Sequence, residues 1–258
     1  PPQLPLDVNS LRQIQREKLL FDLALKLSQT LNLDDILQTT VTEIQQFLKT
    51  ERVIIYKLES DGHGVIVAES VTGKWKHLLG HKINDHCFVE EWIECYQNGR
   101  IQVINDIDKA NLSPCYLEIL AKMQVRATLI IPIVEIEHQT TINNPEKKAL
   151  WGLLVAQQCS SIRYWKNSEL DLLKNLAIHL SIAIKQAKLY EKLNYQLIKQ
   201  KQIEQELKRK EKAQTLLAEL GQYALYHNDL NTLIKQAIKV ISEFFKVPYC
   251  GILELSPN

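Results

Sequence analysis

Charge of one sign is missing from this 258-residue sequence. Its 31 Lys+Arg stand against 30 Asp+Glu, with both signs interspersed. Such a chain has no field to draw in a phosphate backbone or an anionic membrane, so neither nucleic acid nor lipid is an expected partner. Long hydrophobic runs are missing too. The longest, Leu129 to Val134 and Ala149 to Ala156, fall far short of the roughly 20 residues that span a bilayer. No charged, then apolar, then small-residue start resembles a signal peptide, and Pro1 reads as the start of an excised piece; the expected location is cytoplasmic. Cysteine is sparse. Five residues at 87, 95, 115, 159 and 250, an odd number irregularly spaced, make no disulfide framework and leave at least one thiol free. G-x-G-x-x-G, P-loop, H-E-x-x-H and C-x-x-C are all absent, so phosphate cradles and simple zinc sites are unsupported and no metal is expected.

What is present is a patterned α+β chain. Leu11, Ile14, Leu19, Leu20, Leu23 and Leu27 predict a helix from about Asn9 to Thr30. Asn32 or Asp34 can cap a second helix carrying Ile36, Leu37, Val41, Ile44, Phe47 and Leu48 on one face. Strands are predicted at Arg52 to Leu58, Val65 to Glu69, Ile101 to Ile104, Ala127 to Ile136 and Leu150 to Cys159, the first two joined by a turn at Asp61, Gly62 and Gly64. Val71 to Gly99 reads as a long irregular stretch, Ser113 to Met123 as a short helix, and His138 to Lys148 as an exposed hairpin loop. From Asn167 the pattern stays helical for about sixty residues with no Gly or Pro before Gly221, the mark of a coiled coil or helical connector. Lys199 to Lys212 carries six Lys/Arg and three Glu, which alternate like a solvated helix face rather than a nucleic-acid arm.

An internal repeat emerges at an offset of 197 residues, which carries Leu19 to Glu59 onto Leu216 to Ser256 without a gap in the apolar positions. Leu33 pairs with Leu230, Val41 with Ile238, Phe47 with Phe244 and Leu58 with Leu255. The expectation is one whole module, a helical connector, and the opening helices and strand of a second module. In this alignment Cys250 falls on Val53, as a buried, inert strand thiol.

Chemistry-bearing residues concentrate between Asp85 and Tyr116: Asp85-His86-Cys87-Phe88, then Cys95-Tyr96, then Ser113-Pro114-Cys115-Tyr116. Two thiols beside a carboxylate and a histidine suit thiolate chemistry. Three readings stay open on these residues alone: a Cys-His hydrolase, a metal site from Cys87, Cys115, His86 and Asp85, and plain structural cysteines.

Set in order, Ala68-Glu69-Ser70-Val71, Asp85-x-Cys87-Phe88, Tyr96-x-x-Gly99-Arg100, Ser113-Pro114-Cys115, Leu120-x-x-x-Gln124-Val125-Arg126-Ala127, Ile131-Pro132-Ile133, Leu150-Trp151-Gly152-Leu153-Leu154 and Ala156-x-Gln158-Cys159 resemble a cyanobacteriochrome, a phytochrome-like, bilin-binding GAF photoreceptor of the dual-cysteine type. The resemblance covers about residues 16 to 190. It implies a GAF fold, an antiparallel sheet flanked by helices with a long C-terminal signalling helix. The implied boundaries are an N-terminal segment 1–15, a bilin-binding domain 16–190, a helical linker 191–215 and a truncated second GAF domain 216–258.

The resemblance also implies the roles. Cys115 is the covalent anchor for a linear tetrapyrrole, phycocyanobilin or its isomer phycoviolobilin, with biliverdin admitted by Tyr116 in place of the family's usual histidine. Cys87 is the second thiol, adding reversibly to the central methine bridge. Asp85 accepts hydrogen bonds from pyrrole N–H groups. Tyr96, Phe88 and His86 complete the cofactor-binding set, Arg100, Arg126 or Lys76 could hold a propionate, and Trp151 belongs to the sheet core. Ile83 stands where red/green members keep Trp, which disfavours that photocycle. His77, His81 and His86 could handle protons. The implied function is a 15Z/15E photoconverting sensor in sensory transduction, without turnover of its own and with no catalytic residue. It would signal through a parallel homodimer in which Leu170, Leu173, Leu180 and Ile184 meet the partner chain. The alternatives are a GAF module sensing a cyclic nucleotide or other small ligand, and a thiol redox sensor using Cys87 and Cys115.

Overall fold

The computed structural model describes residues 17–18, 21–23, 25–26, 30, 32–59, 63–83, 90–137, 147–226 and 229–253. Two compact units divide between Tyr190 and Glu191. In the first, residues 17–18, 21–23 and 25–26 are helical, within the helix expected from Asn9 to Thr30. Helix α1 (Leu33–Leu48) begins where the Asn32 side chain accepts from the N–H groups of Asp34 and Asp35, and two acidic residues occupy its first, dipole-positive turn. It ends at Lys49 in the left-handed conformation (φ 51°), whose N–H returns to the Gln45 carbonyl.

The sheet has six antiparallel strands: β1 (Arg52–Leu58), β2 (Gly64–Val71), β3 (Lys82–Ile83), β4 (Gln102–Ile104), β5 (Ala127–Glu137) and β6 (Lys147–Gln158), in the order β3-β2-β1-β6-β5-β4. The Val71 to Gly99 stretch is less irregular than its composition suggests. It contributes β3 and a helix, α2 (Glu90–Gln97). A two-residue strand and a two-turn helix are too short for periodicity to register. Helix α3 (Pro114–Lys122) lies where the short helix was expected, and the sixty-residue α4 (Asn167–Tyr226) continues straight through Gly221.

Both faces of the sheet are covered, which is why β1 and β6 read as nearly unbroken apolar runs. On one face Val53, Ile55, Leu129, Ile131, Trp151 and Leu154 pack with α1 and with Leu172, Leu173, Leu176, Leu180 and Ile184 of α4. This corrects the expected dimer seam. Leu173, Leu180 and Ile184 are fully buried and Leu170 is packed against the same cluster, so these residues are core of their own chain. The period-3.6 stripe marks an apolar face but carries no information on whether sheet or partner covers it. On the opposite face Ile54, Tyr56, Ile66, Ile130, Leu153 and Val155 alternate with the first set and gather Leu78 and Tyr96 around them.

Gly152 permits the closest approach within the sheet. A side chain there would overlap the backbone carbonyl oxygen of Tyr56 and stand 3.2 Å from the Lys57 Cα, neither of which can swing aside. Gly152→Ala is expected to destabilise the domain by about 2 kcal/mol or more in urea melts, and an unchanged midpoint would refute this packing.

In the second unit, α5 (Leu230–Phe245) repeats α1. Asp229 accepts from Asn231 and Thr232, and Lys246 closes the helix in the left-handed conformation (φ 52°), at the same offset of 197 residues from Asn32 and Lys49. Packing, however, differs. No residue of α5 is buried, whereas Ile36, Leu37, Val41, Ile44 and Leu48 of α1 are. The strand expected after α5 is also not formed: residues 248–253 are irregular and Cys250 is only half-buried. An isolated strand has no ladder to join, so the pattern alone does not fold it.

Candidate functional site

The second face of the sheet is the floor of an apolar cleft roofed by α3. Alternation along the strands supplies the floor: Ile54 and Tyr56 from β1, Thr128 and Ile130 from β5, Leu153, Val155 and Gln157 from β6, with Ile83 of β3 at the side. Tyr116, Ile119, Leu120 and Met123 form the roof. The space within the cleft comes to about 60 Å³, and it opens to solvent at its mouth. Tyr116 and the disfavouring position Ile83 were singled out from sequence, and Leu120 and Leu153 stood in the motifs quoted there. The rest share one signal, the period-2 face opposite the helix-covered core.

The roof begins with a local motif. Ser113 caps α3 by accepting from the Tyr116 N–H at 3.4 Å, and Pro114 fills the first turn, where its missing N–H costs nothing. Cys115 is thereby placed at the exposed start of the helix. Tyr116, the next residue, reaches the cleft. Cys115 is disulfide-bonded, whereas Cys95, Cys159 and Cys250 are free. Asp85, His86, Cys87 and Phe88 lie outside the described residues, as does most of the expected His138 to Lys148 loop, of which Lys147 and Lys148 belong to β6.

Tyr96 belongs to the buried apolar cluster on this face and is not among the residues that line the cleft. It is 1% exposed, its hydroxyl donates to Gln102 Oε1 at 2.7 Å, and burial, with a smaller contribution from Tyr116, pushes its phenol well above the usual range. Two of the proposed propionate holders are engaged elsewhere. Arg126 pairs with Asp108 at 2.5 Å and Asp106 at 3.6 Å, and the Arg100 guanidinium lies 4.7 Å over the Trp92 ring. Lys76, His77 and His81 are exposed and do not line the cleft; His77 stands 3.5 Å from Glu69. Trp151 is core on the opposite face, as expected. The Cys159 thiol is pushed up to about 11 by burial, which makes it inert.

One element was missed entirely. Arg52, fully buried, holds the floor to the roof. Its Nη1 donates to the Met123 carbonyl at 2.8 Å and to Gln157 Oε1 at 3.1 Å, and its Nη2 to the Lys76 carbonyl at 2.6 Å. Its Nε lies 3.5 Å from Glu69 Oε1, and Glu69 in turn accepts from the N–H groups of Leu78 and Leu79. The end of the roof helix and the segment around Leu78 are thus tied to one cation. A lone arginine at the start of a strand gives no sequence signal of this.

Among the described residues no cluster of His, Cys, Asp and Glu could hold a metal, and no helix is long and apolar enough to cross a membrane. A six-stranded antiparallel sheet with helices packed on one face and an apolar cleft under a short helix on the other defines an α+β module with a candidate ligand site. The chain belongs to the GAF domain family, whose model matches residues 32–184.

Its structural neighbours are cyanobacteriochrome GAF domains. The blue-light absorbing form of the Thermosynechococcus elongatus PixJ GAF domain is 34% identical with a TM-score of 0.55, over 64% of this chain and 92% of that one. A far-red absorbing dark state with bound biliverdin IXa is 30% identical with a TM-score of 0.58, over 66% of this chain and 99% of that one. A putative methyl-accepting chemotaxis protein of Synechocystis sp. is 32% identical over 196 residues, 76% of this chain. The chain spans only 18% of that relative's length.

Proposed function

We propose that this chain is the photosensory part of a longer signalling protein, a GAF domain that carries a linear tetrapyrrole on Cys115 and reports light through α4. The observation that carries the reading is the position of Cys115, at the exposed start of the helix whose next residue faces an apolar cleft. The lining suits such a group in its chemistry: it is mostly apolar, carries few polar atoms and is open at its mouth. When bound, a linear tetrapyrrole supplies visible absorption and 15Z/15E isomerisation. The chain's own part is to bind and to hold. The Cys115 sulfur would hold the pigment through a thioether to its ring A side chain. Tyr116, Ile119 and Met123 would cover it from the roof, and the apolar floor would keep water from it. Cys87 is proposed as the reversible second thiol and Asp85 as the acceptor for pyrrole N–H groups. Phycocyanobilin or phycoviolobilin is the proposed pigment, with biliverdin the alternative.

The testing experiment is an absorption spectrum of protein incubated with phycocyanobilin or biliverdin, before and after illumination and again in acid denaturant. Reversible photoconversion of a pigment that survives denaturation is expected, and a colourless product with both pigments would sink the proposal. Because Cys115 is disulfide-bonded, its sulfur is nucleophilic only after reduction by a thiol reductant. Incubation without dithiothreitol is therefore expected to give little attachment. Replacing Cys87 by Ala should leave pigment attached but move the short-wavelength state to the red, and an unchanged blue or violet band would remove Cys87 from the mechanism.

Signalling is proposed to run through a parallel dimer on the solvent side of α4, where Ile178, Ile182 and Leu189 are half exposed at coiled-coil spacing. Residues 216–258 are proposed as the opening of a second GAF domain, on the matched caps of α1 and α5. The proposed module turns over no substrate, and the output lies elsewhere in the longer protein. The Cys115 disulfide also favours a second reading, a thiol redox sensor. Wild-type protein that takes up no pigment when reduced, while cycling reversibly between thiol and disulfide, would support it.

A further inference from the structure

Tyr56 is fixed from both neighbouring strands by a glycine. On β6 the bare Gly152 lets the backbone come up against the Tyr56 carbonyl, and on β2 the bare Gly64 leaves room that the Tyr56 ring fills. A methyl group on Gly64 would occupy the space of the ring's Cζ and hydroxyl oxygen. Gly64 pairs with Leu58 while Tyr56 pairs with Ile66, so the ring reaches diagonally across the β1–β2 ladder. The backbone of Tyr56 is held in ladders on both sides, with Ile66 and with Leu153. A displaced ring must therefore move by side-chain rotation, and the open space beside it is the cleft that Tyr56 already lines.

We propose that Gly64 is a specificity-determining residue of the cleft: by carrying no side chain it parks the Tyr56 ring against β2 and keeps the floor wide enough for a flat ligand. An aromatic ring laid over a strand glycine is also a stabilising arrangement in its own right. A purely stabilising role changes melting and nothing else, whereas the proposed role changes what the cleft admits. The inference rests on the bilin reading for its ligand but not for its sterics, so the test uses two probes. One is the rate of covalent loading by phycocyanobilin in reduced protein. The other is cleft binding of the flat dye 8-anilinonaphthalene-1-sulfonate, which needs no attachment.

Gly64→Ala is expected to slow loading and to weaken dye binding by roughly tenfold, or about 1.4 kcal/mol. Adding Tyr56→Ala to Gly64→Ala removes the displaced ring and is expected to restore both to within a few-fold of wild type. If Gly64→Ala does not fold, as judged by circular dichroism, Tyr56→Trp with Gly64 retained supplies the same obstruction and the same expected loss. Wild-type loading and dye binding by the obstructed variant overturn the inference, as does a double variant that stays impaired. If the wild type attaches no pigment while the dye follows the expected order, the bilin reading fails and the steric role of Gly64 stands.

Discussion

Cys115→Ala is expected to remove covalent pigment completely. Attachment needs one nucleophilic sulfur presented at the cleft, and among the described cysteines the other candidates are badly placed. Cys159 is buried with a thiol pushed up to about 11, and Cys95 lies on α2, outside the cleft lining. Because Cys115 is exposed and its helix is capped by Ser113 and started by Pro114, the substitution, compared with wild type in reduced protein where neither carries the disulfide, leaves the helix to the same local forces. Circular dichroism should be unchanged. Colour measured in acid denaturant should fall to the level of protein never given pigment, and a denaturation-resistant band in the variant would overturn the anchor.

The second large effect belongs to Arg52. Its side chain is fully buried, and the Glu69 side chain it faces is 2% exposed. Arg52→Ala leaves that carboxylate in the interior with its cationic partner gone and strands the Met123 and Lys76 carbonyls and Gln157 as well. Removing one member of a buried charged pair costs about 3–5 kcal/mol, far more than the pair contributes over an apolar replacement. Urea melts are therefore expected to show Arg52→Ala among the most damaging single changes, on the order of half the stability of an ordinary domain. Arg52→Met combined with Glu69→Leu should recover a good part of the loss, since neither charge is then left alone. An Arg52→Ala midpoint within error of wild type would mean that the hub does not hold roof to floor.

Much of the fold was legible along the chain because its signals are local. The apolar face of α1, its Asn32 cap, the alternation of β1 and β2 and the unbroken helical pattern after Asn167 each depend on residues within a turn or two of one another. The same holds for Ser113-Pro114-Cys115-Tyr116, a capping motif as well as a resemblance. Where expectation failed, the missing information was a distant neighbour. Leu173, Leu180 and Ile184 form a stripe that fits either a partner helix or a sheet, and the sheet of the same chain claims it. Arg126 and Arg100 were named as propionate holders, and no pattern along the chain shows that Asp106, Asp108 and Trp92 face them.

By itself the sequence determined the α+β class, the order of the elements apart from β3 and α2, and the repeat that carries the caps of α1 onto α5, and it singled out Cys115 as the proposed anchor. Periodicity, capping and motif spacing are written in consecutive residues and survive without coordinates. Only the tertiary structure decided the strand order, the cleft under α3, the Arg52 hub and the seat of Tyr56 between Gly64 and Gly152. Each of these joins residues far apart in the chain, and whether a buried arginine finds its acceptors or a ring finds a bare glycine depends on registers that no single strand encodes.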